Sequence, residues 1–294
     1  MKYSVYVILA GILWGVISIF INILSAAGFT SMQCVALRAF FTVLMLFFYI
    51  LITDRSKFKV RLRDLPCFLG TGILSIVFFN FCYFRCIEIM GSSAVPALLM
   101  YTAPVFVMLL SAVFFREKIT LRKVIAVIAV IIGLGIVTGA FTGGNVTAAA
   151  MLFGLGAGLG YSLYSIFGKF VVDKYDSVTI TFYTFLVASF VSVPASGVVS
   201  SAAYLADFKI ITVVLALALI STVLPFLFYT RGLSGMEAGK ASILATVEPV
   251  TAAIVGAVFF HESFTISKIA GMLIILSAIV YLNIGDKKNA GISD

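Results

Sequence analysis

Long apolar runs separated by short polar segments extend over nearly the whole chain. A window of about 19 residues, with Gly, Pro and charge clusters as breaks, predicts one helix for each run. The first five predicted helices cover residues 3–26, 33–52, 66–87, 93–115 and 122–140. The second five cover residues 148–170, 178–199, 210–231, 239–260 and 266–284. Because about 20 apolar residues cross a bilayer, the pattern predicts an all-α integral membrane protein with ten transmembrane helices.

The composition supports a lipid-embedded protein. Of the 294 residues, 62% are hydrophobic and 11% are charged, whereas a soluble domain has about 25% charged residues. So few charged side chains cannot cover the surface of a soluble protein of this size. Ten spans also leave no room for a separate soluble catalytic domain.

The distribution of Lys and Arg predicts the orientation. If the N-terminus lies in the cytoplasm, 16 of the 20 basic residues fall on the inner side. The outer side then holds Arg38, Arg85, Lys209 and Lys268. By the positive-inside rule, the chain is expected to be a multi-pass protein of the cell membrane with both termini cytoplasmic. This bias accounts for the net charge of +8, so no nucleic-acid partner is expected.

The chain contains an internal repeat. A shift of 145 residues aligns Pro104 with Pro249 and superimposes the segment AVFFREKIT on AVFFHESFT. The halves are predicted to be residues 1–144 and 145–294, with five helices each. Because five is odd, the second half enters the membrane in the opposite direction. Inverted repeats of this kind are typical of secondary transporters.

Several motifs together resemble a known family. They are Trp14-Gly15 in helix 1, Arg38 in helix 2, Pro104 to Glu117 closing helix 4, and Glu248 to Glu262 in helix 9. With ten helices in two halves, the chain resembles the EamA branch of the drug/metabolite transporter (DMT) superfamily. The resemblance implies a central cavity lined by helices 1, 3, 4, 6, 8 and 9, with helices 5 and 10 outside. It also implies export of small metabolites, amino acids or toxic compounds, often with proton exchange. The chain departs from the family at Asn22, where a Lys often follows the Trp-Gly motif.

Two polar stripes are equivalent under a shift of 147 residues. Within each stripe the side chains recur every four residues, so they share one helix face. The stripes consist of Trp14, Ser18 and Asn22, and of Tyr161, Ser165 and Lys169. Polar atoms are costly against lipid, which favours a cavity-lining role. Packing between helices is the alternative. Lys169 lies near the cytoplasmic end of its helix, where it either extends to the interface or contacts an anionic substrate.

Glu248 is the most informative single residue. It is predicted near the middle of helix 9, and its equivalent in the first half is Ala103. A carboxyl group there could exchange a proton or pair with a cationic substrate. The structural alternative is a hydrogen bond to backbone that Pro249 frees or to a neighbouring helix.

Aromatic and amide side chains on helices 3, 4 and 8 complete the candidate site. An aromatic cavity would suit flat or amphipathic molecules, although aromatic side chains are equally common in packing. The predicted substrate-binding set is Trp14, Ser18, Asn22, Asn80, Tyr83, Tyr101, Tyr161, Ser165, Lys169, Tyr229 and Glu248.

The sequence therefore predicts a secondary active transporter that exports small organic metabolites by alternating access, with protons as the coupling ion. A phosphorylated-metabolite or nucleotide-type exchanger, or a channel-like facilitator, is the alternative.

Catalysis is not expected, because the chain has a single His and no metal-ligand motif. The four Cys residues are interpreted as packing residues. No cofactor is expected, and the predicted partners are a small-molecule substrate and the lipid bilayer. The protein is expected to be a monomer or a homodimer.

Overall fold

Ten long helices form the structure. The computed structural model describes residues 2–142, 146–263 and 265–290, and the described chain has no β-strand. The helices that can span a membrane are α1 (Lys2–Ala26), α2 (Ser31–Thr53), α3 (Leu62–Met90), α4 (Ala94–Phe115), α5 (Leu121–Thr138), α6 (Ala148–Lys169), α7 (Ser177–Ser196), α8 (Phe208–Leu233), α9 (Ala238–Phe259) and α10 (Ile266–Asn283). The predicted ten-helix membrane fold is confirmed. The predicted division at residues 144 and 145 lies outside the described residues and stays a prediction.

Three helix ends differ by three or more residues from the sequence-based bounds, including that of α3, which ends at Met90 and not at residue 87. Helix α3 begins four residues earlier than predicted, because Leu62–Asp64 forms a 3₁₀ turn that leads directly into it. Asp64 therefore belongs to the start of a helix, whereas the sequence had placed it in a loop. Helix α7 ends at Ser196, three residues earlier than predicted, since Gly197 adopts a left-handed conformation with φ of 65°. A left-handed Gly is a common helix terminator.

Four helices are irregular at matched positions. Helix α4 is interrupted at Tyr101 and Thr102, and α9 at Ala245 and Thr246, which agrees with the sequence repeat to within one residue. Helices α3 and α8 contain π-helical stretches at Gly70–Val77 and Leu219–Val223. Such irregularities loosen the regular backbone hydrogen bonding and often mark functional sites. Matched irregularities in both halves agree with an inverted repeat.

The packing partners also repeat when the halves are exchanged. Helix α1 packs against α8 and α9, and its equivalent α6 packs against α3 and α4. Helices α2 and α7 pack together, as do α5 and α10. The contacts of α1 and α6 with α8, α9, α3 and α4 bring together the six helices for which the family resemblance implied a central cavity, and that cavity stays a prediction.

The two ends of the bundle have different loops. The basic end is formed by residues 54–61, 116–120, 170–176 and 234–237, and it carries most of the Lys and Arg residues between helices. There the Lys57 ammonium lies 2.5 Å from the Asp176 carboxylate. Burial alone would raise the pKa of Asp176, but the hydrogen bonds from Lys57 and Thr179 outweigh burial and lower this pKa. The ion pair joins the connections α2–α3 and α6–α7, one from each half.

Helices α5 and α10 approach each other closely at two glycines, Gly133 and Gly271. A Cβ atom on Gly271 would lie 2.6 Å from the Gly133 carbonyl oxygen. We expect Gly271→Ala to destabilise the protein by about 1–3 kcal/mol through overpacking, measured as a lower melting temperature in detergent. Gly168→Ala is the matched control, because its Cβ would meet only Leu233 Cδ2, at 3.4 Å. Equal melting temperatures for the two variants would show that the close contact contributes nothing.

Candidate substrate chamber between the two halves

Glu248 lies just after the interruption of α9. It occupies the first turn of the segment Val247–Phe259, where the helix dipole favours a negative charge. The Tyr161 hydroxyl of α6 donates a hydrogen bond of 2.9 Å to its carboxylate, and Tyr101 of α4 also interacts with it. The carboxyl group therefore faces the interior of the bundle and has a partner on a neighbouring helix.

Aromatic rings surround this carboxyl group. The Tyr161 ring centroid lies 5.3 Å from that of Phe79, 6.2 Å from that of Trp14 and 6.4 Å from that of Tyr101. Trp14 in turn lies 5.4 Å from Tyr229. We call this region the chamber, and define it by Trp14, Tyr83, Tyr101, Tyr161, Ser165, Tyr229 and Glu248. Both halves of the chain contribute to it.

The second polar stripe joins α6 to its neighbours along its whole length. One turn closer to the basic end than Tyr161, the hydroxyl groups of Ser165 and Tyr229 share a hydrogen bond of 2.6 Å. At the basic end the Lys169 ammonium donates to the carbonyl oxygens of Leu233 and Met236, both at 2.9 Å. Lys169 thus bonds a carbonyl group at the end of α8, where a cation is favourable, and another in the connection that follows, and it is not part of the chamber.

The first polar stripe divides between two environments. Trp14 is buried in the chamber, whereas Ser18 is half-buried and Asn22 is exposed. The Asn22 amide donates to the Ser18 carbonyl of its own helix at 2.9 Å. Asn80 is buried, but its amide also bonds within its helix, to the Ile76 carbonyl at 2.7 Å. The structure does not bring Ser18, Asn22 or Asn80 into contact with Glu248.

Two residues of α3 and α2 also approach Glu248. Tyr83 packs against Phe79 and is close enough for its hydroxyl to interact electrostatically with Glu248. Arg38 is 7% exposed and also interacts electrostatically with Glu248. The sequence had assigned Arg38 only to the outer side and to the family motif. A single Arg well inside an apolar span was the signal that could have identified it.

The repeated motif AVFF–E–T forms the same turn in both halves. Arg116 and His261 are equivalent and both have positive φ, at 57° and 53°. In each turn the following Glu bonds back through its backbone N–H, Glu117 to Ser111 at 3.3 Å and Glu262 to Gly256 at 3.1 Å. The local sequence therefore dictates the same local geometry twice.

The side chains of these two Glu residues share an equivalent Lys neighbour, because Glu117 lies 3.9 Å from Lys123 and Glu262 lies beside Lys268, but their other contacts differ. At the basic end the Glu117 carboxylate accepts hydrogen bonds from the backbone N–H groups of Ala238, at 2.6 Å, and Gly239, at 3.1 Å. These groups start α9, so we call the interaction the Glu117 contact. At the opposite end Glu262 pairs with Lys268 at 3.0 Å. The Glu117 side chain is 7% exposed and that of Glu262 is 54% exposed.

Burial of the core helices shows the same asymmetry. Residues 238–247 of α9, at the basic end, are all buried. In the equivalent stretch of α4 at the opposite end, residues 97–99 are only half-buried. Helix α6 also packs against α8 beside the basic end. The start of α9 at the basic end is therefore more deeply buried than the start of α4 at the opposite end.

Comparison with known proteins decides the family. The model of the EamA-like transporter family matches residues 1–139 and 148–284. The chain belongs to the EamA-like transporter family. This match confirms the resemblance that the motifs indicated. The protein is thus a multi-pass membrane protein of a transporter family.

Relatives of this EamA-like transporter agree with that assignment. An "uncharacterized transporter" of Archaeoglobus fulgidus is 26% identical over 95% of this chain and 98% of its own length. A "probable amino-acid metabolite efflux pump" of Salmonella typhimurium is 24% identical over 80% of this chain and 83% of its own. A solved crystal structure shares the fold with a TM-score of 0.78, at 15% identity and with 98% of both chains covered. These similarities do not test the site residues, which stay predictions.

Proposed function

We propose that this EamA-like transporter is a secondary active transporter that exports small organic metabolites, such as amino acids or toxic amphipathic compounds. Transport occurs by alternating access and is coupled to protons. The observation that carries the proposal is Glu248, a carboxyl group inside an apolar bundle, bonded to Tyr161 of the neighbouring helix α6. Ionisable groups at this depth usually serve ion or substrate pathways.

The chamber supplies chemistry for organic substrates. Rings of Trp14, Tyr101, Tyr161 and Tyr229 offer flat apolar surface together with hydroxyl groups that fix orientation. Glu248 supplies the charge that a proton or a cationic group can neutralise. The relative named as an amino-acid metabolite efflux pump supports amino-acid derivatives as substrates.

The asymmetry of the bundle supports alternating access. We infer from the 16 basic residues on one side that the basic end faces the cytoplasm, together with both termini. The Glu117 contact then closes the cytoplasmic path in this state. Since Glu262 forms the same turn at the other end, the opposite state forms when Glu262 binds the start of α4 and Glu117 is released.

A phosphorylated-metabolite exchanger is less well supported. Such a substrate requires several cations in the chamber, and Lys169 is bonded to the carbonyl oxygens of Leu233 and Met236 outside it. Arg231, another cation that could be considered for such a substrate, is exposed at the end of α8 and is not part of the chamber.

A ligand screen tests the substrate class. Thermal unfolding of the purified protein in detergent is measured with amino acids, amines, nucleobases and sugar phosphates, because a ligand of the folded state raises the melting temperature. We expect amino acids or amines to stabilise wild type. Stabilisation by sugar phosphates alone would favour the exchanger instead.

Counterflow tests the transport mechanism. Proteoliposomes preloaded with the stabilising compound are expected to accumulate its labelled form transiently, with a rate that saturates with concentration. A carrier that alternates between two states shows both effects. Non-saturating flux with measurable conductance would identify a channel and overturn the proposal.

A further inference from the structure

Arg38 is a buried cation without a hydrogen-bond partner. Its side chain lies inside the span α2, and no hydrogen bond or salt bridge to it is formed by the described residues. Nε is completely enclosed and unpartnered. The terminal nitrogens are not among the completely enclosed unpartnered atoms of the described residues, so part of their surface is accessible.

An unsatisfied guanidinium at this depth is costly unless an anion binds it. Glu248 is the carboxyl group with which Arg38 interacts electrostatically. Their side chains nevertheless do not form a salt bridge, since Glu248 is bonded to Tyr161 instead. The two opposite charges are therefore held near each other but apart.

We propose that Arg38 binds the carboxylate of the transported molecule, and that Arg38 and Glu248 together select small zwitterions. This inference rests on the proposed function of the chamber. A zwitterion places its carboxylate on Arg38 and its ammonium on Glu248, and leaves neither protein charge unpaired. A purely cationic molecule would compensate Glu248 alone, and a purely anionic molecule would compensate Arg38 alone. The aromatic walls then contact the apolar part of the molecule.

Three probes of similar shape test this selection. L-Phenylalanine carries both charges, phenethylamine carries the ammonium alone, and 3-phenylpropionate carries the carboxylate alone. Binding is followed by the fluorescence of Trp14, the single Trp of the chain, which lies in the chamber beside Tyr161. We expect wild type to bind phenylalanine at least about tenfold more tightly than either singly charged probe, as a charge-assisted hydrogen bond is lost in each case.

Two variants should change the selectivity in opposite directions. Arg38→Gln is expected to weaken phenylalanine binding about tenfold or more and to leave phenethylamine binding unchanged or tighter. Glu248→Gln is expected to weaken phenylalanine binding and to spare 3-phenylpropionate. Arg85→Gln is the control, because Arg85 is exposed and paired with Glu88, and it should leave all three affinities unchanged.

The outcomes separate this inference from the proposed function. If the Arg38→Gln variant still binds phenethylamine, the variant is folded. Selective loss of phenylalanine binding then supports the carboxylate site. Equal losses for phenylalanine and phenethylamine would assign Arg38 to structure alone. A wild-type protein that shows no preference for phenylalanine, yet transports phenethylamine by counterflow, would overturn the zwitterion site and retain the transporter. Absence of saturable transport of any compound would overturn the proposed function itself.

Discussion

Glu248→Gln is expected to abolish the stimulation of transport by a pH gradient. The substitution keeps the size of the side chain and an oxygen that accepts the Tyr161 hydroxyl, but it removes the ability to bind and release a proton. If Glu248 carries the coupling proton, an imposed pH gradient accelerates uptake by wild type. Uptake by the variant then has the same rate with and without the gradient. The measurement is initial uptake into proteoliposomes, with and without the gradient, at matched protein levels.

Two further variants make this result specific. Glu88→Gln removes a carboxyl group that is exposed and paired with Arg85, so its gradient response should equal that of wild type. Tyr161→Phe removes the hydroxyl partner of Glu248 and keeps the carboxyl group, so stimulation should persist at a lower maximal rate. Equal stimulation of wild type and Glu248→Gln would remove Glu248 from the coupling mechanism, and Lys169 would be the next ionisable group to test.

Glu117→Gln is expected to open the basic end of the protein. The Glu117 carboxylate accepts two backbone hydrogen bonds from the start of α9, and charged acceptors form stronger bonds than neutral ones. The Gln amide has a single oxygen to accept these bonds. Its NH₂ group adds two N–H donors that would face the N–H groups of Ala238 and Gly239. The closed state should therefore lose stability relative to the state that is open at the basic end.

A single reporter cysteine measures this opening. Ser242→Cys, in a background without the four native Cys residues, places a thiol on the buried segment of α9 beside the chamber. In wild type this thiol should be protected from a water-soluble reagent applied to the basic end. With Glu117→Gln we expect labelling to be faster by about tenfold or more, since about 1.4 kcal/mol shifts an equilibrium tenfold.

The repeat provides the matched control for that experiment. Glu262→Gln changes the equivalent residue in an equivalent turn, but Glu262 is exposed and paired with Lys268. If Glu262 stabilises only the opposite state, its substitution should leave the Ser242→Cys thiol protected. Faster labelling in both variants would indicate general loosening, and unchanged labelling in both would show that Glu117 does not hold the basic end closed.

The sequence by itself determined the membrane fold. Each span is a local property, because about 20 apolar residues must form a helix to satisfy their backbone in lipid. The repeat was equally visible, since AVFF–E–T recurs letter by letter. Glu248 was identifiable because a carboxyl group interrupts an apolar run. The helix ends differed by only a few residues, where a 3₁₀ turn at Leu62–Asp64 and a left-handed Gly197 set the bounds.

Residue partners across helices required the tertiary structure. A spacing of four residues places Trp14, Ser18 and Asn22 on one face, but it does not indicate what that face meets or where along the helix the environment changes. Helix α1 is interrupted after Gly15, so Trp14 lies in the chamber while Asn22 is exposed towards the opposite end. Arg38 was visible as a charge, yet its proximity to Glu248 depends on how α2 packs beside the core.

The difference between the two ends was also decided by tertiary structure alone. Glu117 and Glu262 occupy the same motif, each follow a residue with left-handed backbone and make the equivalent backbone bond to the preceding helix. One is buried against the start of α9, and the other is exposed beside Lys268. Local sequence fixes the turn that directs each side chain, because backbone sterics and short-range hydrogen bonds act within a few residues. Whether each Glu also binds the start of a facing helix depends on the relative position of the two halves, and that position is set by the packing of the whole bundle.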